Sequence, residues 1–286
     1  MKKIVALVMA LAMIFALCAC GSSASTASTA STDSSAAAAE SDKLIVGTSA
    51  DYAPYEFMYA DDNGTMQYGG IDISVVQYIA DAMGKELQIE NMSFDYLLTA
   101  LSKGDYDIVI AALEETEERL NAADFSDPYY SDHPAKLLVK AENADQYTSL
   151  ESFDGKSVAA QTATTKEGLV TELLPGATLV SLANVDDIVN QLVYDKIDAC
   201  CLDGAVAVAK AAANPDLVVL DVVIEESPAP YCIAVAKGDP KGLLPAINEA
   251  IAQMNAANVM QGFVDAANAI KDSGNYEEVS VDAPES

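Results

Sequence analysis

Residues 43–92 contain Lys43-Leu-Ile-Val-Gly-Thr48, then Ile71-Asp-Ile-Ser-Val-Val-Gln-Tyr-Ile-Ala-Asp-Ala-Met83-Gly84, then Leu87-Gln-Ile-Glu-Asn-Met92. The first run is short and apolar and ends in turn chemistry. The second places Val75, Val76, Ile79, Ala80 and Met83 on one helical face, and Gly84 stops it. The third reads as a strand. Strand, helix and strand in this order predict an α/β fold with parallel sheets. The pattern continues outward. A helix is expected over residues 94–102, with Leu97, Leu98 and Leu101 inward, and a strand over 106–112. Further strands are expected over 136–140, 157–160, 199–202, 216–220 and 231–236. Helices are expected over 164–174, 185–194, 205–213, 240–256 and 259–271. Residues 49–70 read as a loop.

The chain has 286 residues, 51% of them hydrophobic, which is enough for a buried core and excludes general disorder. It carries 44 acidic and 15 basic residues, a formal charge of −29. So acidic a chain repels phosphate backbones, so no nucleic-acid partner is expected. There is one histidine, His133, and no tryptophan. A multi-histidine metal site is therefore impossible, and His133 reads as a loop residue. The five cysteines lack zinc-finger spacing, and neither a metal nor a cofactor is expected.

Lys2 and Lys3 precede an uninterrupted apolar run over residues 4–17, shorter than the ~20 residues of a membrane-spanning helix. Leu17-Cys18-Ala19-Cys20-Gly21 follows and resembles the lipobox of bacterial lipoproteins. Cys20 fits that frame; Cys18 does not, because Leu17 would stand immediately before it. The resemblance implies a signal peptide over 1–19, lipidation of Cys20 and an anchor on the extracytoplasmic face of the cell membrane. Residues 20–42 are mostly Ser, Thr and Ala and read as a flexible tether. Residues 272–286 read as a polar, acidic, frayed tail.

Four segments, in order, resemble the family 3 extracellular solute-binding proteins, which bind polar amino acids for ABC importers. They are Val46-Gly-Thr-Ser-Ala-Asp-Tyr-Ala-Pro-Tyr-Glu-Phe57 with Gly70-Ile-Asp-Ile73; Phe94-Asp-Tyr-Leu-Leu-Thr-Ala-Leu101; Asp107-Ile-Val-Ile-Ala-Ala-Leu-Glu-Glu-Thr-Glu-Glu-Arg119 with Asp124-Phe-Ser-Asp-Pro-Tyr-Tyr130; and Gln161-Thr-Ala-Thr-Thr165 with Ile197-Asp-Ala-Cys-Cys-Leu-Asp203. The resemblance implies a two-lobed periplasmic-binding-protein-like α/β fold. Two hinge crossover strands, near 136–140 and 230–235, would join the lobes, with the ligand between them. Lobe 1 would comprise 43–136 with 234–271, and lobe 2 would comprise 137–233. A monomer that hands its ligand to a permease is expected.

The site residues follow from the same resemblance and from their chemistry. Arg119, the sole arginine, offers a rigid fork to a carboxylate. Thr164 and Thr165 open a helix and offer hydroxyls and free N–H groups to the same anion; the family's usual glycine is Ala163 here. Gln161 stands nearby. Asp203 would meet the ligand ammonium. Tyr52 and Phe94 would wall the ligand side chain, and Ser49, Asp51 and Ala112 complete the lining. Ser49 occupies a position often acidic in binders of basic amino acids, which weighs against lysine or arginine as ligand. Glu114 departs from the family's Ser or Thr and has two readings. Its carboxylate turns to solvent or onto Arg119, the favoured reading, or it enters the cleft and shifts the preference toward ligands with extra positive charge or without a carboxylate. Cys200, Cys201 and Cys232 read as buried thiols, with a disulfide as the alternative. No catalytic residue is assigned. The competing functions are a cyclohexadienyl dehydratase-like enzyme on the same fold and a ligand-sensing accessory protein.

Overall fold

The computed structural model of the chain describes residues 42–225 and 229–273. The expected signal peptide, Cys20, most of the expected tether and the expected tail beyond 273 lie outside the described residues. The chain begins with β1 (Lys43–Thr48), β2 (Asp51–Tyr52), β3 (Glu56–Ala60), β4 (Met66–Gly69), α1 (Ile71–Met83), β5 (Glu86–Asn91), α2 (Leu97–Lys103), β6 (Ile108–Val109) and β7 (Ala123–Phe125). It continues with β8 (Lys136–Lys140), β9 (Ser157–Gln161), α3 (Thr165–Leu173), β10 (Thr178–Leu182), α4 (Val185–Val193), β11 (Ala199–Leu202), α5 (Gly204–Ala213) and β12 (Leu217–Val219). It closes with β13 (Ala234–Ala236), α6 (Leu244–Ala257) and α7 (Met260–Asp272).

Two lobes result, each built on a five-stranded sheet of the same plan. The first sheet has the order β5-β1-β6-β13-β7, with β1 parallel to β5 and β6, and β13 antiparallel to its neighbours. The second has the order β10-β9-β11-β8-β12, with β9 parallel to β10 and β11, and β8 antiparallel to its neighbours. Each crossing between lobes therefore delivers an antiparallel strand into the sheet it enters. In the first lobe Leu44, Val46, Val75, Val76 and Ile79 pack with Ile247, Ile251 and Met254 of α6, all buried. In the second, Leu137, Val139, Phe153, Val158, Ala160 and Val170 form a buried cluster.

The local signals explain the elements. Gly84 takes the left-handed conformation, φ 65°, and its N–H reaches the carbonyls of Ala80 and Asp81, which ends α1. Asn184 caps α4 by accepting from the N–H groups of Asp186 and Asp187. Gly47 is required by space, because a Cβ there would stand 2.4 Å from the Tyr106 ring.

Three expectations change. Residues 51–69 form a small antiparallel sheet, β2-β3-β4, rather than a loop. The turn at Asp61, which accepts the N–H groups of Asn63 and Thr65, sets the β3–β4 hairpin. The strand expected over 106–112 is short, because Ala112 has φ 43° and leaves the extended region. The first crossing lies upstream of residues 136–140, which are a strand within the second sheet. The crossing segments meet at Tyr130 and Tyr231, where the Tyr231 N–H donates to the Tyr130 carbonyl at 2.8 Å. Among the described residues no helix is long and apolar enough to cross a membrane.

Candidate functional site

The carboxyl ends of four strands converge between the lobes. β1 leads into Ser49–Tyr52, β6 into Ala111–Glu114, β9 into Thr164 and Thr165, and β11 into Asp203. In an open α/β sheet, the crevice outside the carboxyl ends of the strands is where ligands bind. Together with Glu56, Phe94, Arg119 and Gln161 these segments line a narrow cavity. A wider groove of about 1430 Å³ adjoins it and shares Phe94, Arg119, Thr164 and Thr165. Every residue expected at the site from the sequence lines the cavity.

On the first lobe, Asp51 is buried and accepts the Val185 N–H at 2.7 Å, across the cleft from the start of α4. Ser49 Oγ donates to it at 3.2 Å, and Gln161 Nε2 lies at 3.5 Å. Burial pushes the Asp51 carboxyl up to about 6, although the Val185 hydrogen bond opposes the shift. Glu56, also buried, is raised well above the usual carboxylate range by burial and by the neighbouring Asp72 carboxylate. Asp72 itself accepts the Ala112 N–H at 2.7 Å and the Tyr129 hydroxyl at 2.8 Å. It thereby holds Ala112 in its left-handed turn at the cavity wall.

Arg119 Nη1 donates to the Glu114 carbonyl at 2.7 Å, and Nη2 donates across the cleft to the Ala163 carbonyl at 3.1 Å. Its guanidinium lies 5.4 Å from the centre of the Phe94 ring, within the reach of a cation–π contact. Ala163 has φ 64°, the conformation a glycine adopts without strain. Thr164 is the N-cap of α3, yet its hydroxyl donates back to the Gln161 carbonyl at 2.7 Å rather than capping the helix.

The favoured reading of Glu114 does not hold. Its carboxylate goes neither to solvent nor onto the Arg119 guanidinium, which takes the Glu114 carbonyl instead. It is 5% exposed, crosses the cleft, and accepts the Thr165 hydroxyl at 2.5 Å and the Lys166 ammonium at 3.2 Å. Lys166 bonds Asp203 Oδ1 at 2.5 Å as well, and the Tyr52 hydroxyl donates to Asp203 Oδ2 at 2.7 Å. The carboxylate of Asp203 thus points into the cleft and away from its own helix, for which it makes no side-chain cap. The Glu114 carboxylate is sustained by a cation that the sequence reading missed. A signal for it existed: Lys166 stands in the first turn of α3, where the positive end of the helix disfavours a cation. A buried carboxylate partner is what such a lysine requires.

Cys200, Cys201 and Cys232 are buried thiols that form no disulfide, as the thiol reading expected. Burial pushes the Cys232 thiol up to about 11 and raises that of Cys200 further, so both stay protonated and unreactive. Among the described residues no cluster of His, Cys, Asp and Glu is arranged to hold a metal ion.

The chain matches known proteins over most of its length. Residues 44–278 fit the model of the bacterial extracellular solute-binding proteins, family 3. The arginine-binding extracellular protein ArtP of Bacillus subtilis is 31% identical over 259 residues, covering 89% of this chain and 93% of that protein. The solved structure of an amino acid ABC transporter substrate-binding protein from Streptococcus pneumoniae, bound to L-arginine, superposes with a TM-score of 0.75 at 36% identity, covering 80% of this chain and 94% of that one. An ancestral amino-acid-binding protein, a precursor of cyclohexadienyl dehydratase, superposes with a TM-score of 0.68 at 33% identity, covering 78% and 94%. The relatives named are binding proteins. With the two lobes, the cleft and these matches together, the chain belongs to the bacterial extracellular solute-binding proteins, family 3.

Proposed function

We propose that the chain captures a cationic amino acid, L-arginine first among them, in the interlobe cleft and presents it to the permease of an ABC importer. One observation carries this reading. A guanidinium on the first lobe, Arg119, and a carboxylate on the second, Asp203, line the same cavity with the aromatic rings of Tyr52 and Phe94. An α-amino acid bears the two opposite charges, and a ligand that touches both lobes favours their approach. The balance of charge supports a cationic side chain. Lys166 pairs with Glu114 and Asp203, whereas Asp51 lines the cavity and accepts from neutral donors, the Ser49 hydroxyl and the Val185 N–H. Asp51 also answers the objection raised by Ser49, since the Ser49 hydroxyl is bonded to an acid that itself lines the cavity. The arginine-binding relatives point the same way.

We infer that the lipobox-like segment ending at Cys20 supports lipid anchoring on the extracytoplasmic face of the cell membrane, with a Ser/Thr/Ala tether leaving the binding lobes free to meet the permease. Cys20→Ala should release the protein from the membrane fraction.

A thermal-shift screen of the twenty amino acids tests the ligand. At a concentration a hundred times its Kd, a ligand contributes about 2.7 kcal/mol, or about 5–11 °C for a domain of this size. The largest shift is expected with L-arginine. No shift with any amino acid, or turnover of prephenate by the purified protein, would replace this reading with the dehydratase alternative or with another class of ligand.

A further inference from the structure

The side chain of Lys166 is 3% exposed and ion-pairs with carboxylates from both lobes, Glu114 at 3.2 Å and Asp203 at 2.5 Å. The second oxygen of each carboxylate is also taken, on Glu114 by the Thr165 hydroxyl and on Asp203 by the Tyr52 hydroxyl. Of the remaining acids at the cavity, burial and the neighbouring Asp72 raise the Glu56 carboxyl well above the ordinary range, and Asp51 accepts from the neutral Val185 N–H and Ser49 hydroxyl. An α-amine arriving at Glu114 and Asp203 therefore meets carboxylates that a cation of the protein already compensates. Lys166 is not among the residues that line the cavity, so its ammonium balances Glu114 and Asp203 without filling the ligand's space.

We propose that Lys166 is a specificity-determining residue: an intramolecular competitor for Glu114 and Asp203 that lowers the worth of the ligand's α-amine. The inference rests on the amino-acid reading of the cleft. Its consequence is a wider ligand class than α-amino acids alone. Carboxylates that carry an ω-cation but no α-amine should also bind, held by Arg119 at one end and by the aromatic walls and Asp51 at the other. Ordinary competition between fixed and ligand charges predicts this, because an amine gains most where the carboxylates have no other cation.

Calorimetry at pH 7 with L-arginine and with 5-guanidinopentanoate, its desamino analogue, tests the proposal on the wild type, Lys166→Met and Lys166→Arg. In the wild type the analogue should bind within about tenfold of arginine. In Lys166→Met arginine should tighten by about tenfold, and the analogue should fall behind by about a hundredfold or more. Lys166→Arg, which keeps the cation, should restore the ratio toward that of the wild type. An analogue more than a hundredfold weaker than arginine on the wild type overturns the proposal without recourse to any variant. So does an arginine-to-analogue ratio that is the same in wild type and Lys166→Met; in both cases the amino-acid reading of the cleft still stands. If neither compound binds any of the three proteins, that reading fails and the proposal falls with it.

Discussion

Replacing Arg119 separates binding from folding. The residue stands in a single helical turn, Arg119–Asn121, and lies outside the buried apolar clusters. Among the described residues, its guanidinium donates to two main-chain carbonyls, those of Glu114 and Ala163. Arg119→Ala should therefore leave the fold intact, with a stability change of about 1–2 kcal/mol from the lost hydrogen bonds. Binding is another matter. Deleting one partner of a desolvated charge pair costs about 2–5 kcal/mol, which raises the Kd for an amino acid by about 30-fold to several-thousand-fold. Lys at this position keeps the charge but can present only one donor direction. It cannot span the 2.7 Å and 3.1 Å contacts to the two lobes and still face a carboxylate. Arg119→Lys should fall between the alanine variant and the wild type. Calorimetry gives the affinity, and thermal melting gives the stability. An Arg119→Ala protein that binds L-arginine within threefold of wild type would remove Arg119 from the site.

Three further outcomes are expected. The Lys210–Asp186 ion pair, with side chains 1% and 5% exposed, lies under the second lobe, and Lys210→Met should cost about 3–5 kcal/mol. That corresponds to a melting temperature lower by about 6–20 °C, largely recovered in a Lys210→Met/Asp186→Leu double variant; a single variant melting within 2 °C of wild type would contradict it. Asp51 and Asp72 both have carboxyls pushed up to about 6 by burial, from an ordinary value of 3.8. Between those values the folded chain holds protons that the unfolded chain has released. Stability should thus rise as pH falls from 7 to 5, by about 1 kcal/mol for Asp51 alone, and further as the pH approaches 3.8; denaturant titrations showing a fall over that window would count against it. Ala163→Gly relieves a left-handed alanine at φ 64°. It should leave the melting temperature unchanged or raise it by an amount matching about 1 kcal/mol, whereas a clear fall would mean that the methyl group is packed rather than strained.

The parts of the fold legible in the sequence are those with local causes. β1, α1, β8 and β11 occupy the residues expected of them because apolar runs, helical spacing and Gly84 each act within a few positions. The β2-β3-β4 sheet was missed because residues 51–69 mix aromatic and turn residues, and only pairing between distant positions, Phe57 with Gly69 and Met58 with Tyr68, settles them as strands. The same division runs through the site. Arg119, Thr165 and Asp203, expected from the family resemblance of their segments, line the cavity. The direction of Glu114 and the presence of Lys166 were not legible, because each depends on the other across the cleft. A glutamate without Lys166 opposite would have turned outward, and a lysine at that helix end without Glu114 and Asp203 would have had no reason to be buried.

The crystal structure of the chain grown with L-arginine tests the central claim most directly. The ligand should lie in the cavity between Tyr52 and Phe94. Its carboxylate should meet Arg119 and the start of α3, its α-amine should be on the side of Asp203, and its guanidinium should lie toward Asp51. Arginine bound instead in the wider groove beside Leu97, Leu98 and Gly168, or a cavity without ligand at saturating arginine, would contradict the account.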